Sequence, residues 1–466
     1  MTVQRSLLVV CLVAVLHGLA FMAYQRPDWM TQWTDQDGYR RLAQVLASTG
    51  TFTRYPDSPV FVPEVIRTPV YPAFVAVIYK IAGPSHTAVA LAQVGVFAII
   101  CLTVFGIGRQ IGGPSLGIAA AAATALFPTL PYFAALVLTE VWTTLMFTLT
   151  MWLLVRAVHE QRTGLFAALG ALAAATTLSR PAFILFLPGI VVMAVVLFPL
   201  IGWTQRPAWS RWALALAVFA IAMLPWFSYN YVTMHRFTLS PAGGIGRGTW
   251  EGSWQGYWPG RVQSELTEIA DTAEPSELDS RIATLAVAER MNPAPMLEYA
   301  HQWQDIRKIW TEPEDPMRRA MARVEADDEY LRVGLQNISR DRMGHVKRRV
   351  TRGLFSLWSA DIPIRHSQIN QMPTLVIRAI WLAQIVLLAL AAAGLWALVR
   401  ARRFADALLM VAPLIYVTAV HVPLLTEARQ SLPAKPIVLI LAVLGAAWLS
   451  GRSFALEPQV HERQHL

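Results

Sequence analysis

Ten apolar stretches constrain this chain more than any other feature of its sequence. A helix that crosses a lipid bilayer needs about 20 consecutive, mostly apolar residues. Such stretches lie at roughly 6–24, 87–108, 114–134, 138–157, 164–180, 182–203, 211–229, 373–399, 404–423 and 432–450. The chain is 55% hydrophobic and only 15% charged, which is too apolar for an ordinary soluble protein. The sequence therefore predicts an all-α integral membrane protein with about ten transmembrane helices.

Basic residues cluster at the ends of these stretches and predict the orientation of the chain. The net charge of +9 follows the positive-inside pattern of membrane proteins, so we expect no nucleic-acid partner. With a cytoplasmic N-terminus, one set of arginines falls on the cytoplasmic side: Arg5, Arg109, Arg156, Arg162, Arg206, Arg211, Arg400, Arg402, Arg403 and Arg452. Ten crossings then return the C-terminus to the cytoplasm. The first stretch could be a cleaved signal peptide, but no clear cleavage site follows it, which favours an uncleaved anchor.

The first long connection, residues 25–86, is predicted to be an outer (periplasmic) loop with two surface helices. One is expected at about 39–48 and the other at about 70–82. The apolar stretch at 69–83 is too short to cross a bilayer comfortably. Counting it as a crossing would also move Arg109 and Arg156 to the outer side, so we expect it to lie on the membrane surface.

The second long connection, residues 232–372, is predicted to be an extracytoplasmic, mostly helical domain that holds 19 of the 30 acidic residues. Its helices should break at NPAP (292–295) and EPEDP (312–316), whereas the stretch 240–260 looks too glycine-rich for a helix. The predicted domains are an N-terminal transmembrane module (1–231), this domain (232–372), C-terminal transmembrane helices (373–450) and a cytoplasmic tail (451–466).

Ionisable residues are scarce in the middles of the stretches and gather at their outer ends. They are Asp35, Asp37, Glu64, Arg67, Glu140, Arg180, Glu427, Arg429 and Lys435. Arginine can hold phosphate oxygens bidentately, and a carboxylate can take a proton from an incoming hydroxyl group. The pattern suits a lipid-linked phosphate substrate at the headgroup level. It disfavours an ion-coupled transporter, which needs charged groups near the membrane midplane.

Six short motifs follow one another along the chain. They are DQDGYRRLAQVLASTGTF, RTPVYPAFVAVIYKIAG, LTEVW, LSRP, LPWFSYNY and TEARQSLPAKP. In order and placement they resemble the GT-C glycosyltransferases of the protein-mannosyltransferase-like and aminoarabinose-transferase-like group (glycosyltransferase family 39). The resemblance implies a GT-C-type helix bundle and a polyprenyl-phosphate sugar donor. Two positions differ from the usual pattern, because Val70 replaces a glycine and Gln430 replaces a tyrosine.

In these relatives the catalytic aspartate lies in the first extracytoplasmic loop, which implies Asp35 or Asp37 here. Asp35 is favoured because an acid four residues before Tyr39 matches the spacing of the family. Asp37 is equally suited to capping a helix that starts near Tyr39. A D-x-D motif binds a metal and a diphosphate in soluble nucleotide-sugar transferases, but nucleotide sugars are not available on the outer face, so that analogy is weak. Mg²⁺ or Mn²⁺ stays an open option because a carboxylate cluster with outer-face access can hold a divalent cation.

The other candidate residues follow from charge, placement and resemblance. Candidates for binding the donor phosphate are Arg180, Arg429, Lys435 and Arg67, with headgroup contact as the alternative. Candidates for binding the acceptor or a metal are Glu140 and Glu64, with helix capping or a solvated loop position as alternatives. Candidates for stacking on a sugar are Trp250 and Trp254, with interfacial anchoring as the alternative.

These features predict an inverting glycosyltransferase of a bacterial inner membrane, with its active site on the periplasmic side. It would move a sugar from polyprenyl phosphate to a lipid, glycan or protein acceptor. Two alternatives stay open: an O-antigen polymerase or ligase that uses a polyprenyl-diphosphate glycan, and a lipid or solute transporter. The second alternative is disfavoured because no pair of inverted repeats is visible in the sequence.

Overall fold

The structure, a computed structural model, describes residues 2–200, 208–369, 371–452 and 454. Helices supply the regular secondary structure of these ranges, and none of the described residues lies in a strand. The predicted all-α class is confirmed. Arg206, residues 201–203 of one predicted stretch and most of the predicted tail at 451–466 lie outside the described residues.

The helices form three groups: a first membrane module, an intervening helical domain and a C-terminal set. The α-helices are α1 Val3–Gln25, α2 Asp35–Thr49, α3 Val70–Ala82, α4 His86–Leu126, α5 Thr129–Ala134, α6 Thr139–Glu160, α7 Thr163–Ser179, α8 Phe186–Leu200, α9 Trp209–Met234, α10 Ile245–Trp254, α11 Gly260–Thr272, α12 Leu278–Ala288, α13 Pro293–Thr311, α14 Pro316–Arg340, α15 Arg342–Arg348, α16 Leu354–Trp358, α17 His366–Ile369, α18 Thr374–Arg400, α19 Phe404–His421 and α20 Lys435–Leu449. Short 3₁₀ helices at Pro181–Phe183 and Ala428–Ala434 precede α8 and α20.

Eight helical segments of the described chain are long and apolar enough to cross a membrane. One of them, the 41-residue α4, contains the predicted stretch at 87–108 and most of the one at 114–134, and it leaves helical geometry at Gly112 and Gly113, just before Pro114. The stretch at 164–180 falls in α7, which has 17 residues and is shorter than the others. Each predicted stretch is thus mostly helical over its described part, and the number of crossings stays a prediction.

Polar contacts join the helix ends at one end of the bundle. His159, near the end of α6, lies 3.0 Å from the carboxylate of Asp406 in α19. Arg403 pairs with Asp406 at 2.5 Å and donates to the carbonyl of Ile111 in α4. Several predicted cytoplasmic arginines lie near these helix ends. The opposite end, called the site end below, carries the first long connection and the helical domain.

The first long connection folds into the paired helices α2 and α3, as predicted. They pack through a small apolar cluster that includes Ala43, Tyr71 and Val75. Helix α3 occupies the predicted residues, but α2 begins at Asp35, four residues before Tyr39. Both aspartates therefore lie in the first turn of α2, where the helix dipole stabilises negative charge.

The helical domain spans α10 to α15 and has its own apolar core. Contrary to the prediction for 240–260, Ile245–Trp254 is helical. The glycines permit this helix, because a side chain at Gly246 would overlap the carbonyl of Asp327 and one at Gly252 would overlap Leu424. Close packing against α14 and the segment before α20 thus outweighs the low helix propensity of glycine.

The two predicted breaks in the domain are confirmed, and each starts a capped helix. Asn292 accepts a hydrogen bond from the backbone N–H of Ala294 at the start of α13. Asp315 accepts one from Arg318 at the start of α14. In both helices proline follows the capping residue, where its missing N–H costs nothing.

Candidate active site

Four chain segments meet at the site end of the bundle and bring charged side chains together. Asp35 starts α2, Glu140 lies in the first turn of α6, and Arg180 follows the last residue of α7. Arg429 lies in the 3₁₀ helix before α20. Residues far apart in sequence thus form one cluster, as the charge pattern predicts.

Arg429 is the centre of this cluster. Its guanidinium lies 2.8 Å from Glu427, 3.4 Å from Asp35 and 3.5 Å from Glu140. It also stacks over the ring of Trp33, 4.7 Å from the ring centroid. Only the contact with Glu427 is short, so Arg429 can exchange its longer contacts for those of an incoming anion.

Glu140 and Arg180 form a second, loose ion pair in the same cluster. Their charged atoms are 3.9 Å apart, and the side chain of Glu140 is only 2% exposed. Neither Oε2 of Glu140 nor Nη1 of Arg180 has a hydrogen-bond partner. Buried polar atoms without partners are costly in a folded protein, which points to an interaction that a ligand completes.

A polar cavity of about 130 Å³ lies between these side chains. Asp35, Glu140 and the three arginines Arg67, Arg180 and Arg429 all line it. Three guanidinium groups around one small cavity form a suitable site for a phosphate group.

Arg67 reaches this cavity because residue 38 has no side chain. A Cβ atom at Gly38 would overlap the guanidinium of Arg67, which stacks 4.7 Å over the ring of Tyr39. Arg67 also donates a 3.4 Å hydrogen bond to the carbonyl of Asp35. Gly38 was not among the predicted site residues, although the sequence places it directly after the D-x-D motif. Burial raises the pKa of the Tyr39 hydroxyl, and nearby Arg67 opposes this shift, so Tyr39 stays neutral at physiological pH.

A second and much larger cavity, a cleft of about 920 Å³, lies between the first long connection and the helical domain. Its walls include Trp303 and Trp310 from α13. Asp35 and Arg67 line both the cleft and the small cavity. The carboxylate of Asp35 is 51% exposed, so it stands at the junction of a small phosphate-sized space and a large open one.

Asp37 and Glu64 lie apart from the small cavity. The side chain of Asp37 is 76% exposed, pairs with Arg40 at 3.1 Å and faces the large cleft. Glu64 is fully buried, accepts hydrogen bonds from the backbone of Ile66 and Arg67, and pairs with Arg54 at 2.5 Å. Glu64 therefore shapes the turn before α3.

Lys435 does not line either cavity. It is 1% exposed, and its ammonium group donates to the carbonyl of Trp358 and the side chain of Gln384, both at 3.1 Å. The predicted role in binding the donor phosphate would require this buried group to leave its partners.

Trp250 and Trp254 lie in the core of the helical domain. Both indole N–H groups donate to Gln302, and the rings pack among the aromatic residues of α13 and α14. These rings are not free to stack on a sugar in this arrangement. Trp303 and Trp310 line the cleft instead.

Glu427, one of the charges at the outer ends of the stretches, and Gln430 had no predicted role in the site but shape the Arg429 segment. The two residues form a capping box, in which the backbone N–H of Glu427 donates to the side chain of Gln430 at 3.1 Å. Gln430 is one of the two departures from the family pattern. Gln430 holds the turn that carries Arg429. In the sequence, the acid two residues before Arg429 was the feature that could have indicated the role of Glu427.

Arg349, the residue directly after α15 of the helical domain, fixes the same segment. It lies in a π-helical turn, Arg349–Gly353, and its guanidinium donates to Gln255 and to the carbonyl of Leu424. Burial and the charge of Arg348 lower the pKa of Arg349 to about 10, so it remains charged at neutral pH. Arg349 thereby ties the domain to the chain that leads into Glu427 and Arg429.

The predicted divalent cation has no complete ligand set in this arrangement. Among the residues that the structure describes, no group of three or more His, Cys, Asp and Glu side chains is placed to hold a metal ion. The carboxylates of Asp35, Glu140 and Glu427 instead converge on Arg429. Metal dependence stays a prediction.

Comparisons with known proteins bear on this site and fold. A family model for dolichyl-phosphate-mannose-protein mannosyltransferases matches residues 66–229, which include Arg67, Glu140 and Arg180. No curated protein matches the sequence.

Among solved structures, the chain is similar to the oligosaccharyltransferase AglB from Archaeoglobus fulgidus in complex with an inhibitory peptide and a dolichol-phosphate. The TM-score is 0.54 at 13% identity, over 99% of this chain and 52% of that one. The apo form of that enzyme matches with a TM-score of 0.51 at 14% identity, over 94% of this chain and 50% of the other. ArnT from Cupriavidus metallidurans bound to undecaprenyl phosphate matches with a TM-score of 0.40 at 16% identity, over 95% and 78% of the two chains.

These comparisons confirm the resemblance to GT-C glycosyltransferases, and the fold is the GT-C fold of multi-pass membrane proteins. This chain spans about half the length of the oligosaccharyltransferase that it matches.

Proposed function

We propose that this protein is an inverting glycosyltransferase that moves a sugar from a polyprenyl-phosphate donor to an acceptor hydroxyl. The position of Asp35 carries this proposal, because it lines both the arginine-rich small cavity and the large cleft. A base at that junction can reach an acceptor in the cleft and the sugar of a donor whose phosphate lies in the small cavity.

The donor phosphate would lie between Arg180 and Arg429. Arg180 has an unpartnered N–H group, and Arg429 has long contacts with Asp35 and Glu140 that a phosphate can replace. Arg67 adds a third positive charge at the mouth of the cleft. Glu140 would keep both guanidinium groups in place when no donor is bound.

The lipid tail of the donor would lie in an apolar groove of about 410 Å³ between α16, α18 and α19. Trp358, Leu388 and Leu414 are among the residues that line it. Trp358 belongs to the short helix whose last carbonyl also accepts from Lys435, near the site end of the bundle. A hydrophobic groove needs no charged side chain to hold a polyprenyl chain.

In the transfer step, an oxygen of the Asp35 carboxylate takes the proton of the acceptor hydroxyl group. The acceptor oxygen then forms a bond to the anomeric carbon while the bond from that carbon to the phosphate oxygen breaks. The polyprenyl phosphate leaves with the bonding electron pair, and the arginines stabilise its negative charge. Attack from the cleft side, opposite the phosphate, inverts the configuration at the anomeric carbon.

The proposed setting is a bacterial inner membrane with the site end on the periplasmic face and both termini in the cytoplasm. The similar AglB structure is a complex with a dolichol-phosphate, which supports a lipid-phosphate donor. The arginines near the opposite end of the bundle support the orientation through the positive-inside rule.

Native mass spectrometry of the purified full-length protein tests this proposal. Wild type and Asp35→Asn should both retain a polyprenyl-phosphate sugar, because the substitution leaves the arginines in place. The mass of the bound lipid would identify the sugar. Failure of both proteins to bind added polyprenyl-phosphate lipid would contradict the proposal, and a bound polyprenyl-diphosphate glycan would instead favour a polymerase or ligase.

A further inference from the structure

A cluster of three arginines lies in the large cleft, next to Asp35. Arg54 and Arg67 belong to the first long connection, and Arg323 belongs to α14 of the helical domain. They meet because an apolar contact joins the two parts of the chain, with Val65 on one side and Ala320 and Val324 on the other. Arg323 lies three residues after Ala320, on the same side of α14, and lines the cleft at this junction.

The cluster has too few carboxylates to balance its charge. Glu64 pairs with Arg54 at 2.5 Å and with Arg67 at 3.7 Å, so one acid serves two arginines. Among the described residues, no carboxylate lies within ion-pair distance of Arg323, whose guanidinium stacks 4.2 Å from the ring centroid of Trp310. Three positive charges therefore share a single negative one.

Three other acids of the cleft have partners elsewhere. Asp271 pairs with Arg307, and Asp37 pairs with Arg40. Asp327 accepts hydrogen bonds from two backbone N–H groups at the start of α10. The charge imbalance at the arginine cluster is thus local, although the cleft as a whole carries both signs.

The N–H groups of the cluster are also short of acceptors. Nε of Arg323 and both Nε and Nη1 of Arg67 are buried and make no hydrogen bond, and the Arg67 side chain is only 9% exposed. Burial lowers the pKa of Arg323, as do the charges of Arg54 and Arg67, while Tyr55 and Glu64 oppose that shift. Like charges held together in this way favour the binding of an anion.

We propose that Arg54, Arg67 and Arg323 form an anion-binding subsite for a phosphate or carboxylate group of the acceptor. This inference rests on the proposed function and narrows the acceptor to an acidic lipid or glycan. Arg67 contacts the carbonyl of Asp35, so an anion held by the cluster places the rest of the acceptor beside the proposed base. Trp310, beneath Arg323, adds an aromatic face to the same wall.

The donor site also attracts phosphate, so the test must separate the two sites. The probe is radiolabelled inorganic phosphate, measured by equilibrium dialysis of the full-length protein at constant ionic strength. Binding is measured first alone and then with saturating undecaprenyl phosphate, which fills the donor site. We expect wild type to keep one phosphate site in the presence of the lipid.

Arg323→Gln and, independently, Arg54→Gln should weaken this remaining site about tenfold or more, because each removes a charged hydrogen-bond donor. Neither should change the affinity for undecaprenyl phosphate. The matched control is Arg332→Gln on the same helix, where Arg332 is 57% exposed and pairs with Glu329. That variant should bind phosphate as wild type does. Melting temperatures show that each variant is folded.

Three results would overturn the inference. If Arg323→Gln binds phosphate as wild type does, the cluster is not an anion-binding subsite. Loss of all phosphate binding in wild type when the lipid is added, or equal weakening of lipid binding by Arg323→Gln, would assign the cluster to the donor. If wild type fails to bind the lipid, the proposed function fails. The comparison of Arg323→Gln with wild type for phosphate alone still tests the subsite.

Discussion

Two groups of charged residues lie at the site end of the bundle, and they differ in the partners that hold their charges. Lys435 and Asp361 are both nearly inaccessible to solvent, and each is hydrogen-bonded to neutral groups. In the cluster around Arg429, the pair with Glu427 is short, whereas the pairs of Arg429 with Asp35 and Glu140 and of Arg180 with Glu140 are 3.4 to 3.9 Å long and surround a cavity. Buried charges held by neutral hydrogen-bond partners mark a structural group, whereas loose ion pairs beside a cavity mark a site for a ligand.

The Lys435 group shows how a buried charge is stabilised without a ligand. Its ammonium lies near the rings of Phe127 and Trp358 as well as its two oxygen partners. Burial raises the pKa of Asp361, and the charge of Lys435 and a hydrogen bond from Thr129 oppose that shift. These contacts connect α5, α16, α18 and α20, so they fix the elements that surround the site.

The largest expected effect separates Asp35 from Asp37. Asp35→Asn removes the proposed general base and should lower the transfer rate about a thousandfold, within the usual range for such groups. Asp37→Asn should change the rate less than about twofold, because Asp37 is exposed and paired with Arg40. Initial rates of sugar transfer to the identified acceptor provide the measurement. A large loss in Asp37→Asn with little loss in Asp35→Asn would reverse the assignment.

Lys435→Met tests whether the group of Lys435 and Asp361 is structural. It leaves the carbonyl of Trp358 and the side chain of Gln384 without their donor and removes the charge that opposes the raised pKa of buried Asp361, so it should destabilise the protein by about 1–3 kcal/mol. The double variant Lys435→Met/Asp361→Asn should recover much of that stability, because no uncompensated charge remains. Thermal unfolding in detergent measures both. If Lys435→Met keeps wild-type stability but loses donor affinity, Lys435 belongs to the phosphate site after all.

A smaller effect is expected at Gly38. In Gly38→Ala, the new methyl group displaces the Arg67 guanidinium and should lower activity about two- to tenfold, equivalent to roughly 1 kcal/mol. The control is Gly164→Ala in α7, where a Cβ atom meets no heavy atom within 4 Å. The measurement is the transfer rate of the two variants. Equal rates in Gly38→Ala and Gly164→Ala would show that the position of Arg67 does not affect transfer.

The sequence predicts the features that depend on hydropathy and on the placement of charge. Apolar stretches locate the membrane helices, and charges at their ends indicate that Asp35, Glu140, Arg180 and Arg429 come together. These residues lie next to helix ends, whose positions the hydropathy pattern fixes within a few residues.

Features that depend on contacts between distant segments are not predictable in this way. Lys435 can be buried because Trp358 and Gln384 accept hydrogen bonds from it, and Arg323 joins the cleft only because the helical domain packs on the first long connection. The glycine-rich helix at 245–254 forms for the same reason, since tertiary packing at Gly246 outweighs local propensity.

The most direct test that the cluster around Arg429 binds the donor phosphate is the affinity for undecaprenyl phosphate. It is measured side by side in wild type, Arg180→Gln and Asp35→Asn. Arg180→Gln should weaken binding about ten- to a hundredfold, because it removes a charged partner of the phosphate. Asp35→Asn should bind at least as tightly as wild type, since it removes a negative charge near the phosphate. Wild-type affinity in Arg180→Gln would contradict the assignment of this cavity to the donor.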